Sequence, residues 1–93
     1  MDRSKVCRDL CKELQDTEAG KKLLRKISYK RTRSGREYVT IVGTYGSIIQ
    51  MSPKETGGVW KTDDDMIQDI VGMFFRCAEH FKPIEDPNEE EVQ

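Results

Sequence analysis

Ninety-three residues with 35% apolar content supply side chains for one hydrophobic core and exclude a second. Charged residues also make up 35% of the chain and nearly cancel, to a net charge of −1, but they are segregated along it. Apolar runs of a few residues, far short of the roughly 20 that cross a bilayer, exclude a membrane-spanning segment. Three cysteines leave at least one thiol free, and no secretory signal with an apolar core opens the chain, so a reducing compartment, cytoplasmic or nuclear, is expected.

From the N-terminus, Cys7, Leu10, Cys11 and Leu14 recur at i, i+3, i+4 and i+7, which predicts an amphipathic helix over residues 4–15 with Ser4 as its N-cap. Asp16 and Thr17 offer a break. Residues 18–24 hold enough helix formers to continue or start another turn, weakened by Gly20, so the end is expected between positions 15 and 20. From Leu23 the period becomes two, with Leu23, Ile27 and Tyr29 on one side and Leu24, Lys26, Ser28 and Lys30 on the other, as in a strand.

Ser34-Gly35 supplies the positive φ of a tight turn, and residues 37–42 are a β-rich return strand. Its apolar side chains fall on both sides, Tyr38 and Val42 one way and Val39 and Ile41 the other. Gly43 and Gly46 bracket the next turn, residues 47–51 form a third strand, and Pro53 ends it. Residues 52–60 read as a loop, with Trp60 as a core plug beneath it in preference to an interface anchor.

Thr62-Asp-Asp-Asp65 opens a last helix over residues 63–81, three carboxylates meeting the positive end of its dipole. Ile67, Ile70, Val71, Phe74, Ala78 and Phe81 form its apolar stripe, widened by Met66, Met73 and Cys77 on one flank and Phe75 on the other. Asp65, Gln68, Asp69, Gly72, Arg76 and Glu79 are left for water. Burial of Ile70, Phe74 and Phe81 is worth about 2 kcal/mol each. A face this wide is expected to touch the first helix as well as the sheet.

The expected architecture is thus α+β in the order α-β-β-β-α. A short antiparallel three-stranded sheet carries two helices packed on one face. One domain fills residues 1–82, and residues 83–93, with five acids and low hydrophobicity, are expected to be a disordered tail.

The charge distribution directs attention to function. Lys21, Lys22, Arg25, Lys26, Lys30, Arg31, Arg33 and Arg36 follow one another with no acid before Glu37. Such a segment suits a phosphate backbone, with Tyr29 and Tyr38 interleaved as stacking surfaces. The bland competitor is protection of an edge strand against pairing. Eight cations in sixteen residues exceed that need.

The order α-β-β-β-α resembles that of double-stranded RNA-binding domains over roughly residues 4–81. Those domains hold phosphates at a lysine-rich start of their second helix, where residues 62–65 here carry three acids, so that docking mode is not expected. The order also resembles the Alu-RNA-binding subunits of the signal recognition particle, which implies binding through the sheet. Here the first strand and its turn carry Lys30, Arg31, Arg33 and Arg36.

Cys7-x3-Cys11 and Cys77-x2-His80 are chelating spacings that would make a zinc centre if the two helices met there. Cys7 and Cys11 already belong to an apolar stripe, which favours their reading as small hydrophobes and no metal. No glycine-rich phosphate loop precedes a helix, and His80 has no orienting acid or serine nucleophile nearby, so no enzyme and no cofactor are expected. The expectation is a small nucleic-acid-binding protein, RNA before DNA, using the basic hairpin. The alternative is a protein-protein interaction adaptor or regulatory subunit, with a homodimer among its forms, that uses the open sheet face.

Overall fold

The computed structural model describes residues 2–54 and 57–83. Its elements are α1 (Arg3–Gln15), α2 (Glu18–Leu23), β1 (Leu24–Arg31), β2 (Glu37–Gly43), β3 (Ile48–Met51), α3 (Asp63–Arg76) and a 3-10 turn (Ala78–Phe81). The fold is α+β, with the strands in the order β1-β2-β3 and both pairings antiparallel. The expected tail begins at Pro83, the last described residue, and residues 84–93 lie outside the described chain.

The first helix starts earlier than Ser4. Asp2 is the cap, its Oδ1 accepting from the backbone N–H of Ser4 at 2.9 Å, because a carboxylate one residue ahead of the helix reaches the unpaired donors of the first turn. Cys7, Leu10, Cys11 and Leu14 face the core as their spacing predicts. After a two-residue corner the chain makes α2, a helix of its own. Thr17 caps it through Gly20 N–H, and Gly20 lies so close to α1 that a Cβ would fall 1.8 Å from the Leu14 carbonyl oxygen. Gly20 therefore serves the close approach of two helices.

The strand register also departs from simple alternation. Leu24 pairs with Gly43 and Lys26 with Val42, so a bulge falls between them. The extra residue lets Leu24 and Ile27 both reach the interior, although three positions apart they would sit on opposite faces of a regular strand. From Ile27 onward alternation holds. Ile27, Val39, Ile41 and Met51 line the helix-covered face, and Ile49 packs partly against it.

The last helix is shorter than its apolar stripe. It ends at Arg76, Cys77 leaves helical geometry, and the chain tightens into the 3-10 turn. This break carries Phe81 into the core, its ring 5.6 Å from that of Phe74. Phe81 abuts Gly43, where a Cβ would come 2.6 Å from its ring. Met66, Ile70 and Phe74 are fully buried and Ile67 and Val71 only partly, so the buried stripe is narrower than expected. Phe75 is left 45% exposed. Asp69, expected in water, is half-buried because its Oδ2 accepts from the indole N–H of Trp60 at 2.8 Å. Trp60 itself is buried beneath its loop.

Substitutions should separate close packing from propensity. Phe74→Ala is expected to cost about 3–5 kcal/mol in urea unfolding. Gly20→Ala is expected to destabilise because the methyl meets backbone. Gly72→Ala, with nothing within 4 Å of the new Cβ, should instead stabilise by up to about 1 kcal/mol.

Candidate nucleic-acid interface

Glu37, the first acid after the basic stretch, turns inward and does not oppose its cations at the surface. Alternation along β2 places Glu37 on the same face as Val39 and Ile41, and its side chain is 2% exposed. Arg3 of α1 neutralises it, Nη1 donating to Oε1 at 2.6 Å and to Oε2 at 2.7 Å. The Tyr29 hydroxyl donates to Oε2, and the Trp60 backbone N–H donates to Oε1 at 2.8 Å. The Nε of Arg3 also donates to Asp63 at the start of α3, at 2.8 Å. Burial pushes the Glu37 carboxyl up, but the hydrogen bonds from Tyr29, Arg3 and Trp60 outweigh it and hold the group below its ordinary range. Burial, then the bond to Glu37, pushes the Tyr29 phenol up to about 12.

All eight expected site residues, Lys21, Lys22, Arg25, Lys26, Lys30, Arg31, Arg33 and Arg36, are exposed. Among the described residues none of them forms an ion pair. The structure does not gather them into one patch. Lys21 and Lys22 ride on α2 with Arg25 close behind at the bulge, whereas Arg31, Arg33 and Arg36 stand at the far hairpin end, six strand residues or about 20 Å away. Lys26 and Lys30 join the two groups along β1. Arg31 lies on the helix side of the sheet, at a recess of about 440 Å³ shared with Arg3, Tyr29, Glu37 and Trp60. Arg36 packs against Gly58, where a Cβ would meet its side chain at 3.0 Å.

The open face has a definite order that follows from register. Lys30 is opposite Tyr38; Ser28, Thr40 and Gln50 form the next row; Lys26, Val42 and Ile48 form the third. Cations therefore occupy the β1 margin, a tyrosine and hydrogen-bonding side chains lie across the middle, and apolar groups lie toward β3. Ile48 is 60% exposed and Tyr45, in the β2–β3 turn, 55%. Sequence reading found the cations and Tyr38 but missed Ser28, Thr40 and Gln50, because only pairing brings three separate segments into one row. It also missed the role of Glu37, although an acid in phase with Val39 and Ile41 was a visible signal of a buried charge.

No three His, Cys, Asp or Glu side chains converge as a metal site among the described residues. Cys7 and Cys11 are buried with the core, and burial pushes the Cys7 thiol up to about 11, the reverse of what a metal thiolate requires. His80 is exposed on the 3-10 turn, so the four zinc-type side chains do not form one site. No helix among the described residues is long and apolar enough to cross a membrane. Comparison of the chain with protein-family models, curated proteins and solved structures finds no match.

The Glu37 cluster sets a pH dependence. Its folded pKa is lowered, so its contribution to stability is present above the ordinary carboxyl value near 4.3 and is lost as pH falls through the folded value. Tyr29 acts oppositely: with its pKa raised to about 12, stability falls as pH rises from about 10 toward that value. Glu37→Gln is expected to cost about 3 kcal/mol at neutral pH and to flatten the acid limb of a stability profile measured by urea titration. Tyr29→Phe should shallow the alkaline limb, leaving the share due to the buried thiols of Cys7 and Cys11, both raised by burial.

Proposed function

We propose that this protein binds single-stranded nucleic acid, RNA in preference to DNA, across the open face of its sheet. The observation that carries the reading is the three-row register of that face. Phosphates follow Lys26 and Lys30 along the β1 margin and continue to Arg31, Arg33 and Arg36 at the hairpin; Lys21, Lys22 and Arg25 extend the field beyond the other end. A base stacks on Tyr38, half-buried and therefore held in place, while Ser28, Thr40 and Gln50 offer donors and acceptors to base edges and to the ribose 2′-hydroxyl.

A duplex fits this surface poorly. Cations line one margin, and the acidic first turn of α3 withholds the second phosphate contact that a helix end would provide. The buried ion pair with Arg3 keeps Glu37 from opposing the cations.

Fluorescence anisotropy with an unstructured oligouridylate should show affinity falling steeply between about 50 and 200 mM salt. The Arg31, Arg33 and Arg36 triple alanine variant is expected to lower the log–log salt slope by roughly two. Tyr38→Ala should weaken binding about tenfold with little change of slope. A chain that binds no RNA at low salt, and sediments as a concentration-dependent dimer, would replace this reading with self-association through the uncharged β3 side.

A further inference from the structure

We infer that a phosphate-binding recess sits at the free edge of β1, formed by Arg8 of α1 and Lys26 of β1 with the hydroxyls of Ser4 and Ser28. The inference rests on the nucleic-acid reading above and extends the interface from the sheet to the first helix, which the basic stretch of sequence does not include.

The recess measures about 300 Å³ and is lined by Ser4, Arg8, Lys26, Ile27, Ser28 and Tyr29. Its polar groups are set by two periodicities. Ser4 and Arg8 are four residues apart on α1 and stack on one side of it, while Lys26 and Ser28 are two apart on β1 and share a side of the strand. The recess lies where those two lines meet, β1 having β2 as its one strand neighbour. Farther back along the same edge, Gln15 closes the backbone by donating to the carbonyls of Leu24 and Arg25 at 3.1 and 3.2 Å.

The donor set has no occupant from within the described chain. Arg8 and Lys26 are exposed and make no ion pair there, and neither serine hydroxyl makes a side-chain hydrogen bond. No acid lines the recess, and two cations, Arg8 and Lys26, do. A tetrahedral oxyanion supplies what is missing: the guanidinium fork takes two oxygens, the ammonium a point charge, and the hydroxyls fill remaining acceptor positions. Lys26 also ends the third row of the open face, so a phosphate held here lies on the same margin as one held by Lys30, four strand residues or about 13 Å farther on. The class of ligand is the backbone phosphodiester of a strand lying along β1.

The test uses the full chain and an oligouridylate with hydroxyls at both ends, which offers phosphodiesters alone. Arg8→Ala should weaken binding roughly fivefold at about 50 mM salt and lower the salt slope by about 0.7. Arg8→Lys should keep the slope. Lys5→Ala is the control, because its ammonium is already engaged by Asp9 at 2.9 Å, and it should change neither quantity. The Arg8 and Lys26 double alanine variant should lose less than the product of the single losses, as expected when both side chains hold one phosphate. RNA binding with an unchanged affinity and slope in Arg8→Ala overturns the recess and leaves the sheet interface standing. Absence of RNA binding by the unaltered chain overturns both.

Discussion

The carboxylate of Glu37 holds this small domain together at its most charged end. A buried acid without partners would be too costly to keep ionised. Here Arg3 comes from α1, the Tyr29 hydroxyl from β1 and the Trp60 N–H from the loop before α3. Arg3 passes on to Asp63, and the Trp60 indole to Asp69. Five segments, α1, β1, β2, the loop before α3 and α3 itself, thus converge on one negative charge and its satellites. Such a cluster adds less net stability than an apolar plug of equal volume would, but it defines an arrangement, since each donor is left unpaired in any other packing.

That constraint shapes the outer surface. The β1–β2 hairpin is clamped at Glu37, immediately behind the turn that carries Arg33 and Arg36, so the hairpin end has a fixed root. The same pair sequesters the acid that directly follows the basic stretch in sequence. Glu37 is neutralised inside the domain, and the eight cations that precede it stay on the surface, although the chain as a whole has a net charge of −1. Acids gather instead at the N-terminus of α3, where they answer the dipole and Arg3.

Much of the fold was legible because its periodicities are strong. The Cys7, Leu10, Cys11 and Leu14 stripe, the alternation of β2, and Thr62 before three acids each specify an element through local physics. The departures arise where a tertiary contact competes. α2 separates from α1 because Gly20 permits a backbone approach that helix propensity does not encode. The bulge after Leu24 serves two apolar side chains that a regular strand could not bury together. The helix breaks at Cys77, and the 3-10 turn that follows takes Phe81 to Gly43. The candidate interface was half legible: composition marks its cations, whereas Ser28, Thr40, Gln50 and Arg8 join them only through register and helix packing.

By itself the sequence determined the α+β class, the core stripe of α1, and the concentration of positive charge between positions 21 and 36, since each depends on near neighbours and on the two short periods of helix and strand. Only the tertiary structure decided that Glu37 lies inside, that the cations divide between the two ends of β1, and that polar side chains from three strands form one row. Those features depend on which distant segments meet. A charge 34 positions from its partner, as Glu37 is from Arg3, has its environment set by packing and by no local pattern.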